Sequence, residues 1–403
     1  MTAADSPSSP DAITKPFTDA ITEAERLIRG ADFITSQADL NEGLDYLAGR
    51  IRASLQLAFD HDLDRPILIN STHQFARQGL DNPDAIYFHA YLRDDASYVV
   101  TGRRGTTADL SFQVMSGNYS ADATPGSQAA FDDRGFEIDD DGHFEISFVP
   151  ESDPRVGERN VFALRPGAKN LIIREVYDDW AAEERGQLWI QRIGAEGQTA
   201  DPPSYDRLAR KYEVAGKLLT GSIQTWFAFP HFFTYKEPVN TLTVPKSTPG
   251  GLASQFSSIG HYQLADDEAM IVTVPHCQDG NYQAIQIGSD WYASTDYETH
   301  QSSLTGAQSQ LDPDGHYRYV ISNRNPGVAN WLEVMDHHHG VIMLRWQRLT
   351  RALTEADGPK VVVCKLQDLP DHLPHHTHNQ VTAEQYATRI AARQLGVAKR
   401  MLS

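Results

Sequence analysis

A pattern in the first half of this chain recurs in the second half, in the same order and at similar spacing. Each copy has an Asp-Gly turn that opens a β-prone run, then an Asn followed by two apolar residues, then an apolar run that ends in Arg. These segments are Asp141–Phe144, Asn160–Phe162 and Leu171–Arg174 in the first copy, and Asp314–Tyr317, Asn330–Leu332 and Ile342–Arg345 in the second. Such self-similarity indicates a duplicated supersecondary unit. Chance similarity of common Asp-Gly turns is the alternative. The repeat predicts two related lobes.

Short β-prone runs separated by Asp- and Gly-rich turns dominate both copies, which favours antiparallel sheet. In the first copy they are Ile86–Leu92, Tyr98–Thr101, Leu110–Val114, Phe144–Val149, Leu171–Val176 and Leu188–Ile193. A second β-rich stretch runs from His261 to Leu366. The predicted fold class is therefore α+β and mainly antiparallel β, with two jelly-roll-like β lobes.

Apolar residues at three- and four-residue steps predict helices at the start, in the middle and at the end of the chain. The three helical stretches are Phe17–Asp60, Tyr205–Phe233 and Thr382–Leu402. Thr382 is the predicted N-cap of the last helix, and Gln385 completes a capping box. With 403 residues the chain is too long for one core. We predict a disordered tail over 1–16, an N-terminal helical region over 17–80 and a first β lobe over 81–200. A helical segment over 201–236, a second β lobe over 237–370, and a His-rich linker with the C-terminal helix over 371–403 follow.

The formal net charge of −19 argues against binding to polyanions, since 54 acidic residues face 35 basic ones and no basic stripe interrupts them. We expect no nucleic acid partner and no membrane. Cys277 and Cys364 lie far apart, which predicts neither a disulfide framework nor a thiolate zinc site. The N-terminus has no signal-like segment. These observations predict a cytoplasmic protein.

Arg174 and Arg345 end the two equivalent apolar runs, where a strand presents buried or rim positions. Each guanidinium could bind a carboxylate, sulfate or phosphate of a ligand, or could pair with an acid within the fold. Glu175 and Asp178 lie close to Arg174 in sequence, whereas aromatic residues and histidines surround Arg345. We therefore predict that Arg345 opens onto a pocket and that Arg174 closes into a salt bridge.

Other residues could carry chemistry, each with a structural alternative. The turn at Gly102–Thr107 places Arg104 between glycines. This turn could bind an anion, or its arginines could neutralise nearby acids. Tryptophans near Arg345, among them Trp331, could line an apolar pocket or be core. Histidines cluster in two places, so a metal at His337, His339, His375 or His378 is an alternative to a solvated surface. We predict no cofactor, since the chain has neither a GxSxG elbow nor a dinucleotide fingerprint.

The segment Asn325–Leu332, followed by Arg345-Trp346 and preceded by Asp314-Gly315, resembles the C-terminal signature of a bacterial family catalogued as a domain of unknown function. Asn82-Pro83-Asp84 and Gly102–Thr106 look similar to its N-terminal half. The resemblance covers most of residues 80 to 365. It implies a jelly-roll-like β architecture and assigns no activity. The chain departs from the family pattern at Met335–Gly340, where small and mixed polar residues are more usual.

Two hypotheses of function follow. The first is a bacterial catabolic enzyme, a hydrolase or lyase, that holds a largely apolar small molecule by its anionic group in a β-lobe pocket. Its predicted catalytic residues are Tyr297 and His339, and its substrate-binding residues are Arg104, Arg345, Asn330 and Trp331. The second is a non-catalytic ligand-binding or assembly protein, a homo-oligomer, whose amphipathic terminal helices pack between subunits.

Overall fold

The computed structural model describes residues 12–118, 125–247 and 254–402. Most of the predicted disordered tail over 1–16 therefore lies outside the described residues. The helices are α1 (Lys15–Arg29), α2 (Gln37–Phe59), α3 (Tyr205–Phe233), α4 (Leu369–His372), α5 (His376–Asn379) and α6 (Ala383–Leu402). The strands of the first half are β1 (Ala85–Tyr91), β2 (Tyr98–Arg103), β3 (Asp109–Met115), β4 (Ser127–Asp132), β5 (His143–Pro150), β6 (Val161–Leu164), β7 (Asn170–Val176) and β8 (Gln187–Arg192).

The strands of the second half are β9 (Thr241–Leu242), β10 (Lys246–Ser247), β11 (Phe256–Gln263), β12 (Glu268–Pro275), β13 (Tyr282–Ser289), β14 (Ala293–Ser294), β15 (Ser303–Thr305), β16 (His316–Ser322), β17 (Trp331–Glu333), β18 (His339–Gln347) and β19 (Lys360–Lys365). The fold is α+β and mostly antiparallel, with N-terminal, middle and C-terminal helices, as the sequence predicted.

Each lobe consists of two sheets with the same strand order. In the first lobe the sheets are β1-β7-β3-β4 and β6-β5-β2-β8. In the second lobe the equivalent strands are β17-β16-β12-β19 in one sheet and β11-β18-β13-β15 in the other, which has seven strands because it also contains β9, β10 and β14. In both lobes the one parallel pair of this set is at the same place, β5 with β6 and β16 with β17. The duplication inferred from the sequence is therefore present in the topology.

Equivalent turns in the two lobes have equivalent hydrogen bonds. Asp139 N donates to His143 O at 2.9 Å, and Asp312 N donates to His316 O at the same distance. The glycines that follow, Gly142 and Gly315, have φ of 85° and 79°, a left-handed conformation that favours glycine. The repeated Asp-Gly turns thus start the same strand in each lobe.

Alternation along β7 and β18 gives each strand a core face and a second face. Leu171 and Ile173 of β7 lie in the first core, and Ile342 and Leu344 of β18 lie in the second. The alternate residues therefore point to the opposite face, and these include both terminal arginines of the repeat. The two lobes turn these second faces toward one shared cavity.

Helices α1, α2 and α3 pack together in a separate apolar cluster beside the second lobe. Helix α2 begins in a capping box, in which Ser36 Oγ accepts from Asp39 N at 3.1 Å and the Asp39 carboxylate accepts from Ser36 N at 2.8 Å. Trp291 of the second lobe is buried in the same cluster. The cluster therefore fixes α2 and α3 against the lobes, where both helices line the cavity.

The C-terminal helix α6 begins in the predicted capping box, since Gln385 N donates to Thr382 Oγ1 at 3.2 Å and Thr382 N donates to Gln385 Oε1 at 2.8 Å. It buries two arginines against the lobes. Arg393 donates to the carbonyl oxygens of Tyr297 and Ser303, and Arg400 donates to that of Pro83. Helix α6 therefore connects residues of both lobes.

Candidate functional site

A cavity of about 390 Å³ lies between the two lobes and beneath α2 and α3. Sheet residues from both copies of the repeat form one side, and the two helices form the other. The loop over residues 71–81 closes the space between them. This volume is in the range that proteins use for small organic ligands.

Arg345 is the cation that β18 presents to the cavity, and only 8% of its surface is exposed. One terminal nitrogen donates to the side-chain oxygen of Gln286, and the other donates to Leu80 O at 2.7 Å. Within the described residues, no carboxylate lies within ion-pair distance of it. A buried guanidinium that is held by neutral oxygens keeps its full positive charge.

Arg174 lines the same cavity from the equivalent strand of the first lobe. Its Nη2 donates to Gln113 Oε1 at 2.9 Å, and its guanidinium carbon lies 5.8 Å from the centroid of the Tyr87 ring. Glu175 lies on the opposite face of β7 and accepts from Gly186 N at 2.9 Å. Glu175 is therefore not the partner of Arg174, and Arg174 lines the cavity as Arg345 does.

A third arginine comes from helix α2. Arg50 is 1% exposed, lines the cavity, and donates to Arg77 O at 3.2 Å, while its Nε has no hydrogen-bond partner among the described residues. Leu80 O, the acceptor of Arg345, lies only three residues further along the same loop. One loop thus supplies a carbonyl acceptor to both Arg50 and Arg345.

Asp81 is the acid on the cavity wall. Its carboxylate accepts from Ser294 N at 3.1 Å and Ser294 Oγ at 2.8 Å, and neither Arg50 nor Arg345 reaches it within ion-pair distance. Burial raises the pKa of the Asp81 carboxyl, and the hydrogen bonds from Ser294 oppose that rise. Even with Asp81 ionised, Arg50 and Arg345 leave the described part of this wall with an excess of positive charge.

The helix side of the cavity is apolar and aromatic. Leu57 of α2 and Leu218, Trp226 and Phe229 of α3 line it. Trp226 lies against Gly79, which has a φ of 64°; a Cβ at that position would be 2.7 Å from the indole. Glycine is therefore needed there both for the backbone conformation and for the close approach of Trp226. The cavity has a cationic sheet side and an apolar helix side.

One histidine faces the cavity together with a serine. His89 Nδ1 is 3.1 Å from Ser71 Oγ, and both residues line the cavity. Burial, with a smaller effect of the Arg174 charge, lowers the pKa of His89 to about 3. The imidazole is therefore neutral at physiological pH.

This pKa makes stability depend on pH. In the unfolded chain His89 takes up a proton near pH 6.5, whereas in the folded protein it takes one up only near pH 3. The free energy of unfolding therefore decreases as the pH falls from about 6.5 to about 3. Because of His89, the free energy of unfolding is about 2 kcal/mol lower at about pH 5 than at about pH 7.5, and His89→Gln removes this difference. In urea unfolding, we expect the free energy of unfolding to fall by about 2 kcal/mol more in the wild type than in the variant between these two pH values.

His372→Gln is the matched control, since His372 is exposed on the surface. Its loss of stability between the same two pH values should equal that of the wild type. Equal losses in the wild type and the His89→Gln variant would show that His89 is not buried in its neutral form.

Of the predicted site residues, only Arg345 lines the cavity. Arg104 lies in a network between the lobes, where its Nε donates to Asp133 Oδ2 at 2.6 Å and its Nη1 to Thr107 Oγ1 at 2.7 Å. Asp133 also pairs with Arg348 of the second lobe. Arg104 therefore joins the lobes, away from the cavity.

Asn330, Trp331 and Tyr297 are buried in structural positions. Asn330 accepts from Gln310 N at 2.7 Å and donates to Gln310 O at 2.8 Å, which fixes a loop. Trp331 donates from its Nε1 to Ser322 O at 3.0 Å. Tyr297 packs in the first core, and burial raises the pKa of its hydroxyl. None of the three lines the cavity.

His339 lies six residues from Arg345 along β18, about 20 Å away. Its Nδ1 is 2.7 Å from Asp290 Oδ1 and its other nitrogen is 3.0 Å from His261 Nδ1. His337 pairs with Glu42, and His378 contacts Gln310. His375 is 3.8 Å from Asp314. The four histidines of the metal alternative thus have separate surroundings, and no three His, Cys, Asp or Glu residues in the described ranges are grouped to hold a metal.

Every helix in the described part of the chain is too short or too polar to cross a lipid bilayer.

Comparison with known proteins supports the fold. No family model matches the chain, and no curated protein matches it. Among solved structures it is similar to an uncharacterized protein from Burkholderia cenocepacia, with 27% identity, a TM-score of 0.78, and coverage of 88% of this chain and 97% of that one. It is also similar to the VPA0106 protein from Vibrio parahaemolyticus, with 13% identity, a TM-score of 0.45, and coverage of 80% and 98%. The Burkholderia structure shares the fold over most of both chains.

Proposed function

We propose that this protein binds a small organic anion with an apolar body in the cavity between its lobes. The observation that carries the proposal is that Arg345 and Arg50 are buried, line one cavity, and have no carboxylate partner among the described residues. Buried charges in proteins are normally paired, because desolvation of a lone ion costs several kcal/mol. A bound anion would supply the missing negative charge.

The contrast with the rest of the chain supports this assignment. The protein has a formal net charge of −19, yet the described residues that line the cavity between the lobes include three arginines and one acid. The apolar side formed by Leu218, Trp226 and Phe229 suits a hydrocarbon or aromatic body. A ligand with one anionic end and one apolar end would match both sides.

Native mass spectrometry of the untagged protein, with decanoate, decyl sulfate and decyl phosphate as added probes, tests the proposal. We expect an acidic small molecule to co-purify, or at least one probe to bind in a one-to-one complex. If no acid co-purifies and every probe binds more weakly than about 1 mM, the proposal is wrong.

A hydrolase is the second candidate, and the contact between Ser71 Oγ and His89 Nδ1 in the cavity favours it. In such an enzyme Ser71 would attack an ester carbonyl while His89 accepts its proton. However, His89 has a pKa of about 3, which makes it a weak base at neutral pH. We therefore favour binding over catalysis.

Ser71→Ala distinguishes the two candidates. For a binding protein we expect decanoate affinity to change less than about threefold, because Ser71 contributes no charge. For a hydrolase, the wild type would cleave p-nitrophenyl decanoate and the variant would lose this activity. Cleavage by the wild type that Ser71→Ala abolishes would replace binding by hydrolysis as the function.

Assembly is the remaining hypothesis, and the terminal helices motivated it. In the structure, α1 buries Phe17, Ala24 and Ile28 within the helix cluster, and α6 buries Val397 against the first core. The apolar face of α1 is thus covered within one chain, whereas α6 leaves Leu395 and Met401 exposed. Light scattering on the full chain would measure the oligomeric state directly.

A further inference from the structure

We propose that the head group of the ligand is an oxyanion that only accepts hydrogen bonds, such as a carboxylate, and that Tyr87 selects it over a neutral amide. The inference rests on the proposed function. It specifies which ligand head group the cationic side of the cavity binds, and it gives Tyr87 a role in that choice.

Tyr87 lies between the two repeated arginines. It is directly opposite Arg174 in the pairing of β1 with β7, and both Arg345 and Arg174 oppose the burial that raises the pKa of its hydroxyl. Its Oη accepts from Asn82 N at 2.8 Å. Within the described residues no acceptor lies within reach of its own O–H. Because Oη is held as an acceptor by the backbone, its proton is available to a ligand in the cavity.

Arg345 adds further donors at the same place. A guanidinium has five N–H groups and no acceptor, and the oxygens of Gln286 and Leu80 accept two of them. The remaining N–H groups belong to a residue that lines the cavity. A ligand group beside them must therefore offer lone pairs.

The acceptors nearest to these donors are already in use. Gln113 Oε1 accepts from Arg174, the Gln286 oxygen accepts from Arg345, and both oxygens of Asp81 accept from Ser294 and Gln78. An amide would place its N–H₂ group beside these donors, where each acceptor named above already receives a hydrogen bond, and it would bring no negative charge to the Arg345 guanidinium. A site built from donors and cations therefore favours the carboxylate over the amide.

Isothermal titration with decanoate and decanamide tests the inference, because the two probes differ only in the head group. We expect the wild type to bind decanoate at least about a hundredfold more tightly than decanamide. Tyr87→Phe should reduce this ratio about tenfold, through weaker binding of decanoate. The ratio is taken on one protein sample, so a partly unfolded variant does not distort it.

Tyr91→Phe is the matched control. Tyr91 is on the same face of β1, but its hydroxyl is bonded to Asn118 Nδ2 at 2.7 Å and does not line the cavity. The ratio should stay at the wild-type value in this variant. Equal binding of both probes by the wild type, or an unchanged ratio in Tyr87→Phe, would overturn the inference while leaving anion binding intact. If neither probe binds and the native mass spectrum shows no acid, the proposed function itself has failed.

Discussion

Arg345→Met is expected to weaken decanoate binding about a hundredfold, because hydrogen bonds to a charged group contribute about 1.5–3 kcal/mol. The variant should remain folded. It loses the bonds to Gln286 and Leu80, at about 1 kcal/mol each, but it also removes a buried charge that has no described carboxylate within ion-pair distance. Isothermal titration gives the affinity, and urea unfolding gives the stability of the same sample.

Arg103→Met provides the matched control. Arg103 ends β2 on the exposed side of the first lobe, so its replacement changes the net charge equally without touching the cavity. Its decanoate affinity should be within about twofold of the wild type. An equal loss in both variants would mean that the overall charge, and not the position of Arg345, controls binding.

Asp84→Ala is expected to reduce the free energy of unfolding by about 3–5 kcal/mol, since it breaks a buried charged network. The Asp84 carboxylate accepts from Tyr282 Oη at 2.6 Å and from Trp180 Nε1 at 2.9 Å. Arg400 lies 4.0 Å from the Trp180 ring centroid, and the negative charge of Asp84 is one of the charges that oppose the lowering of its pKa by burial. Without Asp84, two buried donors lose their acceptor, and the buried cations Arg393 and Arg400 lose a nearby opposite charge.

Urea unfolding followed by tryptophan fluorescence measures this effect, and Asp140→Ala is its control. Asp140 is exposed in a turn, so its removal should change stability by less than about 0.5 kcal/mol. A loss below about 1 kcal/mol in Asp84→Ala would show that Asp84 does not hold the lobes and α6 together.

Local signals predicted the elements of this fold well. The middle helix has the predicted bounds, Tyr205–Phe233, and the capping box at Thr382 correctly marks the start of α6. Six strands of the first lobe lie where β-prone runs predicted them. Strand β4 was not predicted, because Ser127–Asp132 has no β-branched residue and little apolar alternation. Strands of this kind depend on their neighbours in the sheet.

The repeat also predicted a relation between the two lobes, which local signals cannot do. Because the lobes have the same topology, Arg174 and Arg345 are at equivalent positions. The sequence could not show that these positions face one cavity, which depends on how the lobes pack. The role given to Glu175 failed for a simple reason. Adjacent residues of a strand point to opposite faces, so Glu175 cannot pair with Arg174 across the sheet.

Two further cavity residues have a signal in the sequence. Arg50 interrupts the apolar face of α2, between Leu47 and Leu57, and a charge on a buried helix face needs a partner. Tyr87 follows the Asn82-Pro83-Asp84 motif, whose Asn82 N holds its hydroxyl. The prediction of Tyr297 and His339, in contrast, rests on residue type alone, which carries no information on distance from Arg345.

A crystal structure of the protein with ω-bromodecanoate tests the central claim most directly, because the anomalous signal of bromine locates one end of the ligand. We predict the carboxylate at Arg345 and Tyr87, and the bromine beside Trp226 and Phe229 on the helix side of the cavity. Bromine at another site, or a cavity without ligand at a saturating concentration of the probe, would contradict the claim that this cavity binds an organic anion.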